Sequence, residues 1–574
     1  MKKFSVLICL FFTVCCAFAA DSVKDIENDK VVKAMQSELN RSIKKLSKLD
    51  PPIYFLSYQI ENTQSASVIS TLGKNAYIYT ANGYTADVDA RAGSRKLDNT
   101  RKLKSIDFAQ RNPNILVNGI MPSPKQIKNM LWILTEDAAT AAQEDYLKVK
   151  TNAMTSAQRA DDSDDFSVKT KPVSYYAPIE NTPLISKEIL GKTAKELDEY
   201  SALFKDESFI MSSSASYSAS LKNKYFVNSE GVRTVQGQIL GRIGYTITSR
   251  NKDGMNLERG NYYDFTSPEE MPSPEKIKKD IKQSIEELKA LQNAEAAEPF
   301  HGPVILKNRA TGVFFHEILG HRVEGHRQKD DDFGQTFTNK TDKDVISPLI
   351  SVYDNPTLKY FKNIPLRGYY AYDDEGVPSE NVTIIKDGVL KGFLMGRSPI
   401  KGFARSNGHG RKQTRYRAVS RMGITVVEAA HTVDFPTLKQ MLKDEIKKQN
   451  KAYGLMIDDI SGGFTMLDTS NPQSFKVQPL LVYKVFPDDR PDEIIRGADI
   501  VGTPLTSFNK IIAAADDYAV FNGSCGAESG WVPVSAIAPS VLISELEVEK
   551  VQKSYDNLPI LTPPAAQKDK GGKK

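Results

Sequence analysis

Ala310-Thr-Gly-Val-Phe-Phe-His-Glu-Ile-Leu-Gly-His-Arg-Val-Glu-Gly-His326 concentrates the chemistry that this chain displays. An apolar run suited to a buried helix leads into two strong metal ligands, His316 and His321, with an acid, Glu317, directly after the first. Imidazoles four residues apart project from one face of a helix and meet on one zinc ion. Here the separation is five, about 140° around an ideal helix, so the rings meet only if the helix is distorted. Gly320, immediately before the second histidine, is where the helix ends or takes a π-bulge. The stretch therefore predicts an irregular helix bearing a His-Glu-x-x-x-His catalytic zinc site. Pro303 to Lys307 reads as a short strand that feeds it.

Outward from this centre, Met1 to Ala20 reads as a secretory signal peptide: Lys2 and Lys3, an apolar run from Phe4 to Cys16, then Ala17-Phe-Ala-Ala20 as a cleavage site. That run is too short to span a bilayer, and no later stretch is long and apolar enough to do so. The expectation is an exported protein, periplasmic or extracellular, without a membrane span once the signal is removed. The formal charge of +5 falls to +3 without Lys2 and Lys3, and the basic residues are scattered, which argues against a nucleic-acid partner. Hydrophobic residues at 40% and charged residues at 26% suit large cores and two or more domains.

Cysteine usage is the next clue. Cys9, Cys15 and Cys16 lie in the signal, so Cys525 stands alone in the exported chain and no internal disulfide is possible. An exposed thiol outside the cell oxidises, so Cys525 is either buried and inert or held as a thiolate. Its setting, Asn522-Gly-Ser-Cys-Gly-Ala-Glu-Ser-Gly530, is a glycine-rich turn, which favours a held thiolate, with zinc as the holder.

The remaining pattern is α+β. Residues 21–295 read as an N-terminal mixed α/β domain, residues 296–552 as a strand-rich C-terminal domain carrying the histidine helix, and residues 553–574 as a disordered basic tail. Within the first domain, helices are expected over Asp21 to Leu49, Pro124 to Lys150 and Ser186 to Phe204, with strands at Ile53 to Ile60, Ser67 to Leu72, Tyr77 to Ala81 and Tyr84 to Ala90. Several strands follow over Ser208 to Thr248. Thr151 to Ser167 reads as a surface loop. Met271-Pro-Ser-Pro274 echoes Met121-Pro-Ser-Pro124, and helix-start chemistry used twice accounts for it more simply than a duplicated unit. In the second domain Lys386-Asp387-Gly388 reads as a hairpin turn.

Four separated motifs in fixed order resemble the TldD/PmbA metallopeptidase family: HEILGHRVEG from His316, YDDEGVPSENVTIIKDGVLKGFL from Tyr372, SNGHGRKQTRYRAVSRM from Ser406 and NGSCGAESGWVPV from Asn522. The resemblance is strong from about Gly302 to Leu546. It implies a zinc peptidase admitting short or unfolded peptides, as a homodimer or as a heterodimer with a related subunit. Carried over, His316, His321 and Cys525 are the ligands of one Zn2+ per chain, and Glu317 is the catalytic acid/base. Two neutral imidazoles and one thiolate leave a fourth position for water.

His409, Arg405 and Arg411, in the SNGHGR stretch, are candidates for holding the oxyanion or substrate carbonyls. Glu324 is a candidate partner for a ligand histidine, with a surface or helix-capping role as its plainer alternative. His326 is a spare ligand or a polar residue beyond the site, His301 and His431 read as structural, and Asp373-Asp-Glu375 as a structural turn. Two other functions fit less of the pattern. One is a peptide-binding or scaffold subunit with a structural zinc, for which His326 is the nearby fourth ligand. The other is a zinc hydrolase of a non-peptide amide or ester.

Overall fold

The computed structural model describes residues 25–103, 111–155, 161–329, 336–465, 475–502 and 508–551. The signal segment 1–20 and the tail 553–574 lie outside them. Among the described residues no helix is long and apolar enough to cross a membrane.

The first half is built on helix α1 (Lys30–Leu46), strands β1 (Ile53–Thr71), β2 (Lys74–Ala92) and β3 (Asn114–Asn118), and helix α2 (Pro124–Thr155). After β4 (Ser174–Ala177) come α3 (Lys187–Ala202), β5 (Ser212–Asn228), β6 (Arg233–Arg250), β7 (Asn256–Phe265) and α4 (Pro274–Asn293). The sheet runs β3-β2-β1-β5-β6, with β4 and β7 both pairing β6. Helix, long hairpin, third strand and Met-Pro-Ser-Pro helix thus occur twice in the same order, and β1 meets β5 antiparallel at the centre. Helix-start chemistry alone does not repeat a strand order, so the echo marks a duplicated unit, contrary to the simpler sequence reading. Each second helix does start as its residues dictate. Ser123 and Gln126 form the reciprocal capping contacts of α2, and Ser273 caps α4 through the Lys276 N–H.

Two local expectations change. The four short strands are two strands of 19 residues each, because the polar middle of β1 faces a polar partner: Gln59 and Glu61 both bond Thr414 of the second half. Thr151 to Ser167 is not all surface loop. Helix α2 continues to Thr155, and Phe166 is buried with the Arg91 and Arg397 guanidinium groups each 3.9 Å from its ring. Such long-range stacking leaves no local period to read.

From β8 (Glu295–Ala296) onward the chain belongs to other sheets. β9 (Phe300–Leu306) pairs with the strand Gly454–Thr465, which pairs with Phe475–Val485, then Ala498–Gly502, then Val541–Lys550, and so back to β9. These five strands close a ring of pairings. A six-stranded sheet holds β10 (Ile350–Asp354) inside and ends on Gly530–Ala538 and Ala519–Ala527. Helix α5 (Asn308–Ile318) lies between the ring and this sheet, and every residue from Ala310 to Ile318 is buried. The turn at Lys386-Asp-Gly388 forms with Asp387 and Gly388 both at positive φ, 47° and 83°.

Candidate metal centre

Helix α5 places His316 and Glu317 in its last turn and then stops. His321 is not on the α-helix. It sits in the 3-10 turn Gly320–Val323, so the expected His-Glu-x-x-x-His helix is a helix followed by a tighter turn. The tightening swings His321 back towards His316, with ring centroids 5.2 Å apart and planes at 81°. Gly320 matters for its lack of a side chain more than for backbone freedom. A Cβ there would lie 1.9 Å from Met422 Sδ. Arg322, fully buried, donates from Nη1 to the carbonyls of Glu317 and Ile318 and so caps the open end of α5.

Cys525 arrives from the strand Ala519–Ala527, which packs against α5. Its Sγ is 3.2 Å from His316 Nε2 and 3.4 Å from His321 Nε2, and the three atoms lie within 4.8 Å of one another. A tetrahedral zinc with ordinary bond lengths sets N and S ligand atoms about 3.6 Å apart. The two N···S separations fit that ion within a few tenths of an ångström, and two nitrogens and one sulfur are a donor set that zinc favours. Among the described residues no other group of three His, Cys, Asp or Glu is so placed. Cys525 is therefore neither exposed nor in an inert apolar pocket.

Burial opposes charge on all three groups, but their mutual attraction prevails. His316 is raised by Cys525, His321 is pushed up to about 10 by Cys525 and Glu324, and the Cys525 thiol is held well below its usual range by the two imidazoles. Glu324 is wholly buried and stands 3.3 Å from His321 Nδ1. Burial would keep it neutral, yet His321, Arg327 and Arg421 hold it ionised down to about 2. It orients the ring that presents Nε2 to Cys525, and the surface alternative for it falls away.

Glu317 packs its Cγ against Gly463 on the strand Gly454–Thr465, where a Cβ would approach to 2.8 Å. His326 gives Nε2 to Glu528 and does not join the cluster. Three residues that the sequence reading missed complete the surroundings. Arg327 bonds Glu324 and Glu528, and Arg421 bonds the Cys525 carbonyl from Nη2 while facing Glu324. Glu528, three residues after Cys525, was signalled only by its place in NGSCGAESG.

The SNGHGR candidates have other posts. His409 is fully buried and bonds Asp354 through Nε2, and Asp354 also accepts from Gly423 N, Ile424 N and Thr425 Oγ1. This is a structural hub behind the sheet. Arg405 is on the surface with its guanidinium on Glu380. Arg411 is buried, donating to the Met422 carbonyl across the Tyr370 ring. None of the three is brought to the cluster. Asp373, Asp374 and Glu375 accept from the backbone N–H groups of Val377, Lys412 and Arg397 respectively, as a structural turn requires. His301 and His431 are exposed.

Residues 300–550 match the model of the PmbA/TldA metallopeptidase C-terminal domain. The C-terminal domain, residues 300–550, is that of the TldD/PmbA family. It is 28% identical over 271 residues to a metalloprotease TldD homologue of Haemophilus influenzae, a match covering 46% of this chain and 52% of that one. It is 26% identical over 374 residues to a metalloprotease of Methanocaldococcus jannaschii, covering 63% and 76%. The chain thus spans about half the length of the Haemophilus relative. The fold is that of TldE from Thermococcus kodakarensis, with a TM-score of 0.60, 14% identity, and coverage of 90% of this chain and 100% of that one.

Proposed function

We propose that this chain is an exported zinc-dependent peptidase that hydrolyses short or unfolded peptides, working as a dimer with itself or with a related subunit. The observation that carries the reading is the convergence of His316 Nε2, His321 Nε2 and Cys525 Sγ within 4.8 Å, with Glu317 next in sequence to the first. The absence of a fourth protein ligand among the described residues favours a catalytic over a closed structural site.

Zinc held by these three residues would supply a Lewis acid that activates water and polarises the scissile carbonyl. Glu317 takes the proton of the attacking water on its carboxylate and delivers it to the leaving amine, so that the peptide bond and one water become an acid and an amine. Gly463 keeps the opposite wall clear of side chain, which leaves the Glu317 carboxylate room to turn between the two proton positions. Glu324 fixes the His321 ring, and Arg421 fixes the carbonyl of Cys525. Export rests on the residues of the leader, and the paired subunit on the family resemblance.

The test is to incubate the protein with an unstructured peptide mixture and map products by mass spectrometry, beside amide and ester substrates that are not peptides. Cleavage at many peptide bonds, abolished by a chelator and restored by zinc, is the expected result. Turnover confined to a non-peptide amide or ester would replace this reading with that of a different hydrolase.

A further inference from the structure

A cavity of about 670 Å³ lies between the sheet of the first half and the second half, and none of His316, Glu317, His321 and Cys525 lines it. It is on the reverse face of the strand pair that bears Cys525. Cys525 sits opposite Val532, both in the core with α5, so the alternation of a strand turns Trp531 and Pro533 the other way, into the cavity. The Trp531 indole is laid across Gly526, where a Cβ would come within 3.0 Å, and is 65% exposed.

The chemistry of the walls selects a ligand. Four lysines and three arginines face four carboxylates. Those carboxylates are engaged: Glu61 with Lys222, Asp374 with Lys224, Asp264 with Arg242 and Arg367, and Asp373 with backbone N–H groups. Arg415 is different. It holds φ at +90°, with its N–H on Asp87 and its carbonyl accepting from Asn112. Its guanidinium forms no hydrogen bond or ion pair among the described residues. A strained non-glycine residue that lines the cavity is thus pinned at both ends while its guanidinium stays uncommitted. Lys359, another lining cation, faces the Tyr369 ring and no carboxylate.

We propose that this cavity is an accessory site that binds a peptide by its free C-terminal carboxylate, with Arg415 as the carboxylate clamp and Trp531 as an apolar platform. The planar fork of an arginine suits a carboxylate, and the volume is that of a ligand pocket. The choice of a peptide rests on the peptidase reading, while the anionic class rests on the cavity alone.

Trp531 reports occupancy, since Trp132 is the only other tryptophan. The full chain carrying Trp132→Phe and Glu317→Gln, which does not consume the probe, is titrated with Gly-Gly-Phe and with its C-terminal amide. The expected result is a saturable change in Trp531 emission with the acid bound at least about tenfold more tightly than the amide. Arg415→Gln should bring the acid to the level of the amide, and Lys359→Ala, on an exposed segment, should weaken the acid several-fold. Equal binding of acid and amide, or no response, overturns the proposal. Saturation by inorganic phosphate but not by the tripeptide overturns it in favour of a phosphate ligand. Failure of the peptidase reading has a different signature, a responsive Trp531 in a parent protein that cuts nothing.

Discussion

Glu324 is the residue on which the orientation of His321 depends, because it is fully buried and its carboxylate is shared among His321, Arg327 and Arg421. Glu324→Gln should therefore leave the fold intact and weaken zinc binding by roughly 10- to 100-fold, measured by competition with a chromogenic chelator. Unchanged affinity would make Glu324 a packing residue. In the sequence Glu324 stood equally as a surface or helix-capping residue, whereas the grouping of His316, His321 and Cys525 was legible because histidine and cysteine are scarce here and each sat in a telling context. Arg327, Arg421 and Glu528 were not, since charged residues are common and nothing local distinguishes a buried one from a solvated one. The same limit explains His409. A histidine between glycines reads as catalytic, and only its bond to Asp354 shows it to be a hub.

At the scale of elements, the centre depends on where α5 stops and what it packs against. A break at Gly320, as an ending or a bulge, was readable from the five-residue spacing, but the close approach of Met422 that leaves room only for a glycine there was not. Gly320→Ala should displace the 3-10 turn that bears His321 and lower zinc occupancy, read by metal analysis of the purified protein. Gly463 was invisible as a functional position, because its neighbour Glu317 is 146 residues away in sequence. Gly463→Ala should push Glu317 aside with the metal retained, lowering turnover by up to about a hundredfold while zinc content stays at that of the parent. Loss of zinc together with activity would instead mean that the strand Gly454–Thr465 holds the whole centre.

For the whole molecule, the two halves are joined through charged groups. Glu61 on β1 pairs with Lys222 and accepts from Thr414 across the junction. Burial alone would raise it, but Lys222 and Lys224 hold it down at about 2. A carboxyl depressed in the folded state contributes stability above its unfolded pKa, about 4.3, and loses it as the pH falls towards 2. The full contribution is on the order of 3 kcal/mol. Glu61→Gln should therefore lower the thermal midpoint at pH 6, with the gap to the parent closing between pH 4.5 and 2.5. A gap independent of pH would place the role of Glu61 in packing. The α+β class was legible from pattern, whereas the twofold layout of the first sheet was not, because two strands of 19 residues with polar middles do not show a continuous alternation.

The central claim is that His316, His321 and Cys525 hold a zinc ion that works with Glu317 on peptides. The most direct measurement is zinc content and cleavage of an unstructured peptide library for the parent, Glu317→Gln and Cys525→Ala, side by side. The account predicts one zinc and cleavage for the parent, retained zinc with cleavage reduced by about 10²- to 10⁴-fold for Glu317→Gln, and loss of both for Cys525→Ala. Undiminished cleavage by Glu317→Gln, or full zinc occupancy in Cys525→Ala, would contradict it.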